Sequence, residues 1–236
     1  MAQTEQKNQN VKKQFEELQS LLERAMALQT SMVLFEWDDE TLAPKGAAEH
    51  TARVIGSLSE QYQEILASMR FKELLDICQK AEKENVGIFD EVQSAILREA
   101  AEEQERLSCI PPEEYRAYAE LTARATGIWT RAREKNDFAS FAPVLKEIIS
   151  YQKKFAAYRA KPGQKLYDVM LDTYEKGFNM EMLDPFFELM KGKIVPLLKE
   201  SAERSKRVPD AFLSADYPEA AQAEAARFLA EYEGFD

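Results

Sequence analysis

Few residues in this chain can stop a helix. Eight glycines and nine prolines are spread over 236 residues. Between them, apolar side chains recur at steps of three, four and seven, a period that gathers them on one helix face. The first stripe is the longest: Val11, Phe15, Leu18, Leu22, Ala25, Met26 and Val33. It predicts a helix over about residues 5–35 that packs inside its own domain, although so long a stripe also suits a second subunit's helix. Ala, Leu, Glu, Lys and Gln abound, and these side chains lose little freedom in a helix. The fold is read as all-α, with about eight or nine mostly long helices.

Breaks in the pattern place the other elements. Pro44 cannot continue a helix, so a second is expected over about 47–68, with Val54, Ile55, Leu58, Tyr62, Ile65 and Leu66 inward. A third covers about 71–83 and stops at Asn85-Val86-Gly87, where glycine can take a left-handed cap. The fourth, about 89–107, carries Glu99, Glu102, Glu103, Glu105 and Arg106 on a face read as solvated. Pro111-Pro112-Glu113-Glu114 starts a fifth helix that reaches about residue 135. Asn136-Asp137 closes it and opens a sixth, about 138–160. Lys161-Pro162-Gly163 is the clearest break, followed by a short helix over about 167–174 that ends at Gly177. A long helix starts at Met180 or Asp184 and runs to about 204, with Gly192 and Pro196 expected to bend it. The last spans about 218–233. Residues 1–236 are treated as a single helical region whose softest internal break lies near 161–166.

Charge and cysteine usage exclude several function classes. Lys and Arg total 31 against 42 Asp and Glu, a formal charge of −11. That surface repels phosphates and anionic lipid, so neither nucleic acid nor membrane is an expected partner. Cys78 and Cys109 match no zinc spacing and read as reduced, buried or half-buried thiols. No apolar run approaches about 18 residues and the N-terminus lacks a signal-peptide core. A soluble, cytoplasmic protein is expected.

The densest chemistry sits in Trp37-Asp38-Asp39-Glu40-Thr41-Leu42-Ala43-Pro44-Lys45-Gly46. Trp37 is read first as a core aromatic anchoring the loop after the first helix. Asp38 and Thr41 can each bond a nearby backbone N–H. The three consecutive acids lack the ligand spacing of a calcium loop. His50, the one histidine, is expected to be exposed on the second helix. Trp129, Arg131, Arg133, Asn136 and Asp137 read as a packing and helix-end network. No metal ligand is assigned in this chain.

Four blocks together resemble the thermostable-carboxypeptidase family of metal-dependent carboxypeptidases. The first is Trp37-Asp38-x-x-Thr41-x-x-Pro44, followed by Arg53-Val54-Ile55-Gly56-Ser57-Leu58-Ser59-Glu60. The second and most specific is Trp129-x-x-Ala132-Arg133-x-x-Asn136-Asp137-Phe138-x-x-Phe141-x-Pro143-x-Leu145. Tyr167-Asp168-x-x-Leu171-Asp172-x-Tyr174-Glu175-x-Gly177 is the third, and 183–198 the fourth. The resemblance implies the helical N-terminal part of a larger, groove-forming metallopeptidase. In such enzymes the H-E-x-x-H zinc motif, the glutamate base and the groups that hold the substrate's terminal carboxylate come later. Trp37, Asp38 and Thr41 become candidates for a wall of the substrate groove. Peptide substrates and zinc or cobalt are implied for the full-length member, and a homodimer is compatible with it. This chain, ending at Gly234-Phe235-Asp236, is expected to be inactive alone. The alternative is a metal-free helical scaffold derived from such a peptidase.

Overall fold

The computed structural model describes residues 2–44, 46–205, 209 and 211–235, with no side-chain account of 2–5. Among these residues there are nine α-helices and no strand. They are α1 (Ala2–Thr41), α2 (Ala48–Ala67), α3 (Met69–Glu84), α4 (Glu91–Ser108), α5 (Pro112–Glu134), α6 (Phe138–Arg159), α7 (Leu166–Tyr174), α8 (Met180–Ser205) and α9 (Glu219–Glu233). Two compact units divide the chain, Met1–Lys176 and Gly177–Asp236. The Lys161-Pro162-Gly163 break falls inside the first, between α6 and α7.

In the first unit α2 lies against α1, α4 and α5. Its buried face is Thr51, Ala52, Ile55, Gly56, Ser59, Tyr62, Gln63 and Leu66, the spacing of one helical stripe. Phe15 and Leu18 of α1, Phe71 and Leu74 of α3, and Leu97 and Leu107 of α4 complete a core with almost no exposure. Each such side chain contributes about 1.5–3 kcal/mol by leaving water. Phe15 meets Phe89 with ring centroids 5.0 Å apart.

Polar detail fixes how these helices end and meet. Gln63 lies wholly inside and its Nε2 donates to the carbonyls of Leu107 (3.0 Å) and Ile110 (2.6 Å). Leu107 lies in the last turn of α4 and Ile110 just beyond its end, where intrahelical donors run out. Asp90 caps the start of α4 by accepting from Gln93 N at 2.8 Å, while Gln93 Oε1 accepts from Asp90 N at 3.1 Å. Gly87, at φ +94°, takes the left-handed turn expected after α3. Between α2 and α5, Arg116 bridges Glu60 at 2.9 Å and Glu120 at 3.0 Å, and Arg124 reaches Glu49 at 3.6 Å. Gly56 makes room for this ladder, since a Cβ there would lie 2.3 Å from Glu120 Cγ.

Four sequence expectations are corrected. α1 does not stop near residue 35 but runs through Thr41, because an aromatic and three acids do not break a helix as proline does. Trp37 is therefore no core anchor; it is 56% exposed. The inward face of α1 also departs from the expected stripe after Ala25, with Met26 and Val33 exposed and Leu28 and Met32 packed against the core instead. The α4 face is not wholly solvated: Glu103 accepts from Tyr62 Oη at 3.1 Å and from Arg106 Nε at 2.8 Å.

The second unit has a different character. Asn179 Oδ1 accepts from Met182 N at 3.0 Å, a cap that sets the start of α8 at Met180 and leaves Pro185 and Pro196 inside the helix. A single 3₁₀ turn, Ala211–Ser214, precedes α9, which ends at Gly234 with φ +86°. No residue of α8 or α9 is buried. Phe186, Phe187, Leu189, Leu197, Leu198, Phe228 and Leu229 are all more than half exposed.

The Gly56 contact yields a double-mutant test. Alanine in a helix interior gains about 1 kcal/mol over glycine, whereas overpacking costs about 1–3 kcal/mol. The clash is with Cγ, close to the α5 backbone, so Gly56→Ala should lower the urea unfolding midpoint. In a Glu120→Ala background the same substitution should raise it.

Candidate functional site

The conspicuous segment becomes the last turn of α1 and a tight reversal into α2. Thr41 Oγ1 donates to the Trp37 carbonyl at 2.6 Å. The Asp38 carbonyl accepts from Leu42 N at 2.9 Å and Ala43 N at 2.8 Å. Thr41 thus holds the helix end through a carbonyl rather than through the N–H expected of it. Ala47 N donates to the Pro44 carbonyl at 2.8 Å, and Thr51 N to the Ala47 carbonyl at 3.0 Å. Chain reversal then lays the start of α2 along α1.

A cavity of about 220 Å³ opens at this corner, lined by Glu36, Asp39 and Glu40 of α1, Thr51 and Ile55 of α2, and Thr122 and Thr126 of α5. Helical phase decides which side chains face it. Positions 36, 39 and 40 share a face, whereas Trp37 and Thr41 stand one turn apart on another. Of the sequence candidates, Trp37 and Thr41 are exposed and Asp38 is half-buried. Sequence reading passed over Glu36, Thr122 and Thr126. The signal for them was present, as acids at i, i+3 and i+4 and threonines at i and i+4, but it needed α1 to be known as helical that far. Partial burial in the hollow pushes the Glu36 carboxyl up, and the negative charge of Glu40 pushes it further.

Elsewhere the site chemistry is sparse. Arg133 stacks over Trp129 with its guanidinium 5.2 Å from the ring centre. Asp137 caps α6 by accepting from Ser140 N at 3.2 Å, and the Ser140 bonds hold its carboxyl below the usual range. Asn136 takes the left-handed conformation at φ +50°. The helix-end part of the expectation for this block holds, but the packing part does not, since Trp129 is 45% exposed and Arg131 and Arg133 are exposed with it. Cys78 is fully buried, which pushes its thiol up to about 11; Cys109 is exposed rather than half-buried.

His50 is exposed, as expected. Among the described residues no group of three or more His, Cys, Asp or Glu is placed to hold a metal ion. Catalytic zinc takes three protein ligands, with histidine prominent among them, and the described residues bring no such set together.

Residues 17–236 match the family model described as carboxypeptidase Taq (M32) metallopeptidase. The chain belongs to that family. It is 31% identical over 216 residues to Carboxypeptidase 1 of Bacillus subtilis, covering 92% of this chain and 42% of that protein. It is 31% identical over 183 residues to Thermostable carboxypeptidase 1 of Pyrococcus furiosus, covering 78% of this chain and 36% of the relative. The BsuCP crystal structure superposes with a TM-score of 0.88 at 30% identity, over 95% of this chain and 44% of that one. Trypanosoma cruzi metallocarboxypeptidase 1 gives a TM-score of 0.73 at 26% identity, over 95% and 44%. The all-α fold of this M32 chain is thus shared with solved members, and it spans less than half the length of the relatives it matches. Among the described residues no helix is long and apolar enough to cross a membrane.

The raised Glu36 carboxyl sets a pH test with a defined sign. Ionised Glu36 disfavours the folded state above its folded pKa, and the penalty disappears once pH falls below the ordinary glutamate value. Glu36→Gln should therefore raise the thermal midpoint at pH 7, and the gain should vanish by about pH 4.

Proposed function

We propose that this chain is the helical N-terminal part of a metal-dependent carboxypeptidase that removes C-terminal residues from peptides in the cytoplasm. Residues 1–236 would form one continuous part of that peptidase domain. The observation that carries the reading is a conjunction. The family match runs through 220 residues, 17–236, yet among the described residues no group of three or more His, Cys, Asp or Glu is gathered to hold a catalytic metal. Zinc or cobalt would then be held by a further part of the longer enzyme, and no catalytic step is assigned to the side chains described above.

What this portion would contribute is a wall. The corner between α1 and α2 carries Trp37, exposed, with Asp38 and Thr41 beside it. An exposed indole on a rigid helix end offers apolar area to an extended peptide at little entropic cost. The exposed phenylalanines and leucines of α8 and α9 support the same reading, because so many large apolar side chains left in water point to an interaction surface. Its occupant would be the remainder of the enzyme, or a second copy in a homodimer.

The reading predicts that the chain is inactive alone. Purified protein saturated with zinc or cobalt should release no C-terminal amino acid from a blocked dipeptide above a chelator-treated control. Chelator-sensitive release would overturn it. An apolar fluorescent dye should also light up on the folded chain. Silence from the dye would favour a metal-free scaffold whose surface needs no cover.

A further inference from the structure

Two hollows of the first unit meet at the same side chains. One, of about 860 Å³, lies among α4, the end of α6 and α7. The other, of about 270 Å³, lies among α5, α6 and α7. Arg106, Arg159, Thr173 and Tyr174 line both. Their characters differ. The larger is edged by charges already paired, Lys176 with Glu102 and Arg106 with Glu103. The smaller is floored by Ile110, Tyr118 and Phe155, and the two rings pack edge to face with centroids 5.3 Å apart.

Arg159 stands at the junction without a matching charge. Its guanidinium touches neutral atoms: the Phe155 carbonyl at 3.3 Å, Thr173 Oγ1 at 3.2 Å and Met170 Sδ at 3.7 Å. Among the described residues no carboxylate lies within ion-pairing distance of it, and Asp172 acts on it only at longer range. Burial and the positive charge of Arg106 both disfavour its cation. A monoanion seated here would offset both, and the planar fork of a guanidinium matches a carboxylate with two parallel hydrogen bonds.

We infer that Arg159 anchors a binding site for a small monocarboxylate with an apolar or aromatic body. The carboxylate lies on the guanidinium beside Thr173, and the body enters the smaller hollow against Ile110, Tyr118 and Phe155. More carboxylates than cations line the larger cavity, which selects against phosphate and other dianions. This site is independent of the peptidase reading and of any metal.

The test uses the full chain and phenylacetate, followed by the side-chain Nε–H resonances of arginine in nitrogen-15 spectra. Phenylacetate should shift the Arg159 resonance saturably. Acetate, which lacks the body, and benzyl alcohol, which lacks the charge, should each bind at least about tenfold more weakly. Inorganic phosphate should not compete. Arg159→Gln should weaken binding at least about tenfold, and Arg159→Lys less. The wild-type titration stands even if a variant fails to fold. No saturable shift of Arg159, phosphate binding as tight as phenylacetate, or undiminished affinity in a folded Arg159→Gln variant would each overturn the inference.

Discussion

Because α2 presents Ala52, Gly56 and Ser59 to its neighbours, the helices on either side can close upon it without large side chains between them. The rest of the first unit depends on that close approach. Ser59 Oγ reaches Met32 Sδ of α1 at 3.1 Å, and Glu120 of α5 occupies the space a Cβ at Gly56 would fill. Four residues past Ser59, Gln63 binds one carbonyl in the last turn of α4, that of Leu107, and one just past it, that of Ile110. A buried amide in that place gives the Ile110 carbonyl a donor and adds a second to the Leu107 carbonyl, which already accepts from Ile110 N at 3.1 Å. The same helix therefore sets spacing on one flank and register on another. The ion pairs along α5 add little of their own, since most of their members stay partly wet.

Much of this was legible in the sequence where a residue type leaves the backbone little choice. Gly87, Pro112 and Asp137 each closed or opened a helix where their chemistry required, and the apolar stripe of α2 faced inward at Ile55, Tyr62 and Leu66. Reading failed where side-chain variety was taken for backbone irregularity. Trp37 to Thr41 looks like a loop by composition, but none of those residues forbids the helix, and the first that does is Pro44. That single error hid the phase of α1 and with it the acidic face at Glu36, Asp39 and Glu40. The role of Glu103 was hidden for another reason. Its partner Tyr62 comes 41 residues earlier in the chain, and no local pattern reports so distant a contact.

The two units state the physical situation of the chain in opposite ways. The first has a packed interior of aromatic and aliphatic side chains drawn from four helices. In the second, α8 and α9 carry phenylalanines and leucines as large as those of the first core, and bury none of them. Isolated helices gain little from propensity alone, so most helical stability comes from covering an apolar face. The matched M32 relatives are more than twice as long, and under the function proposed above these uncovered side chains would face the remainder of such an enzyme or a second copy.

Amide hydrogen exchange on the purified chain tests that contrast most directly. Opening of a packed core element costs a large share of the global stability, whereas helices with few buried contacts open locally at little cost. Amides in the middle of α2 and α3 should exchange at least about a hundredfold more slowly than those in the middle of α8 and α9. Equal protection of α8 and α2 in the isolated chain would show that residues 177–235 possess a core of their own, and the account of an uncovered face would be wrong.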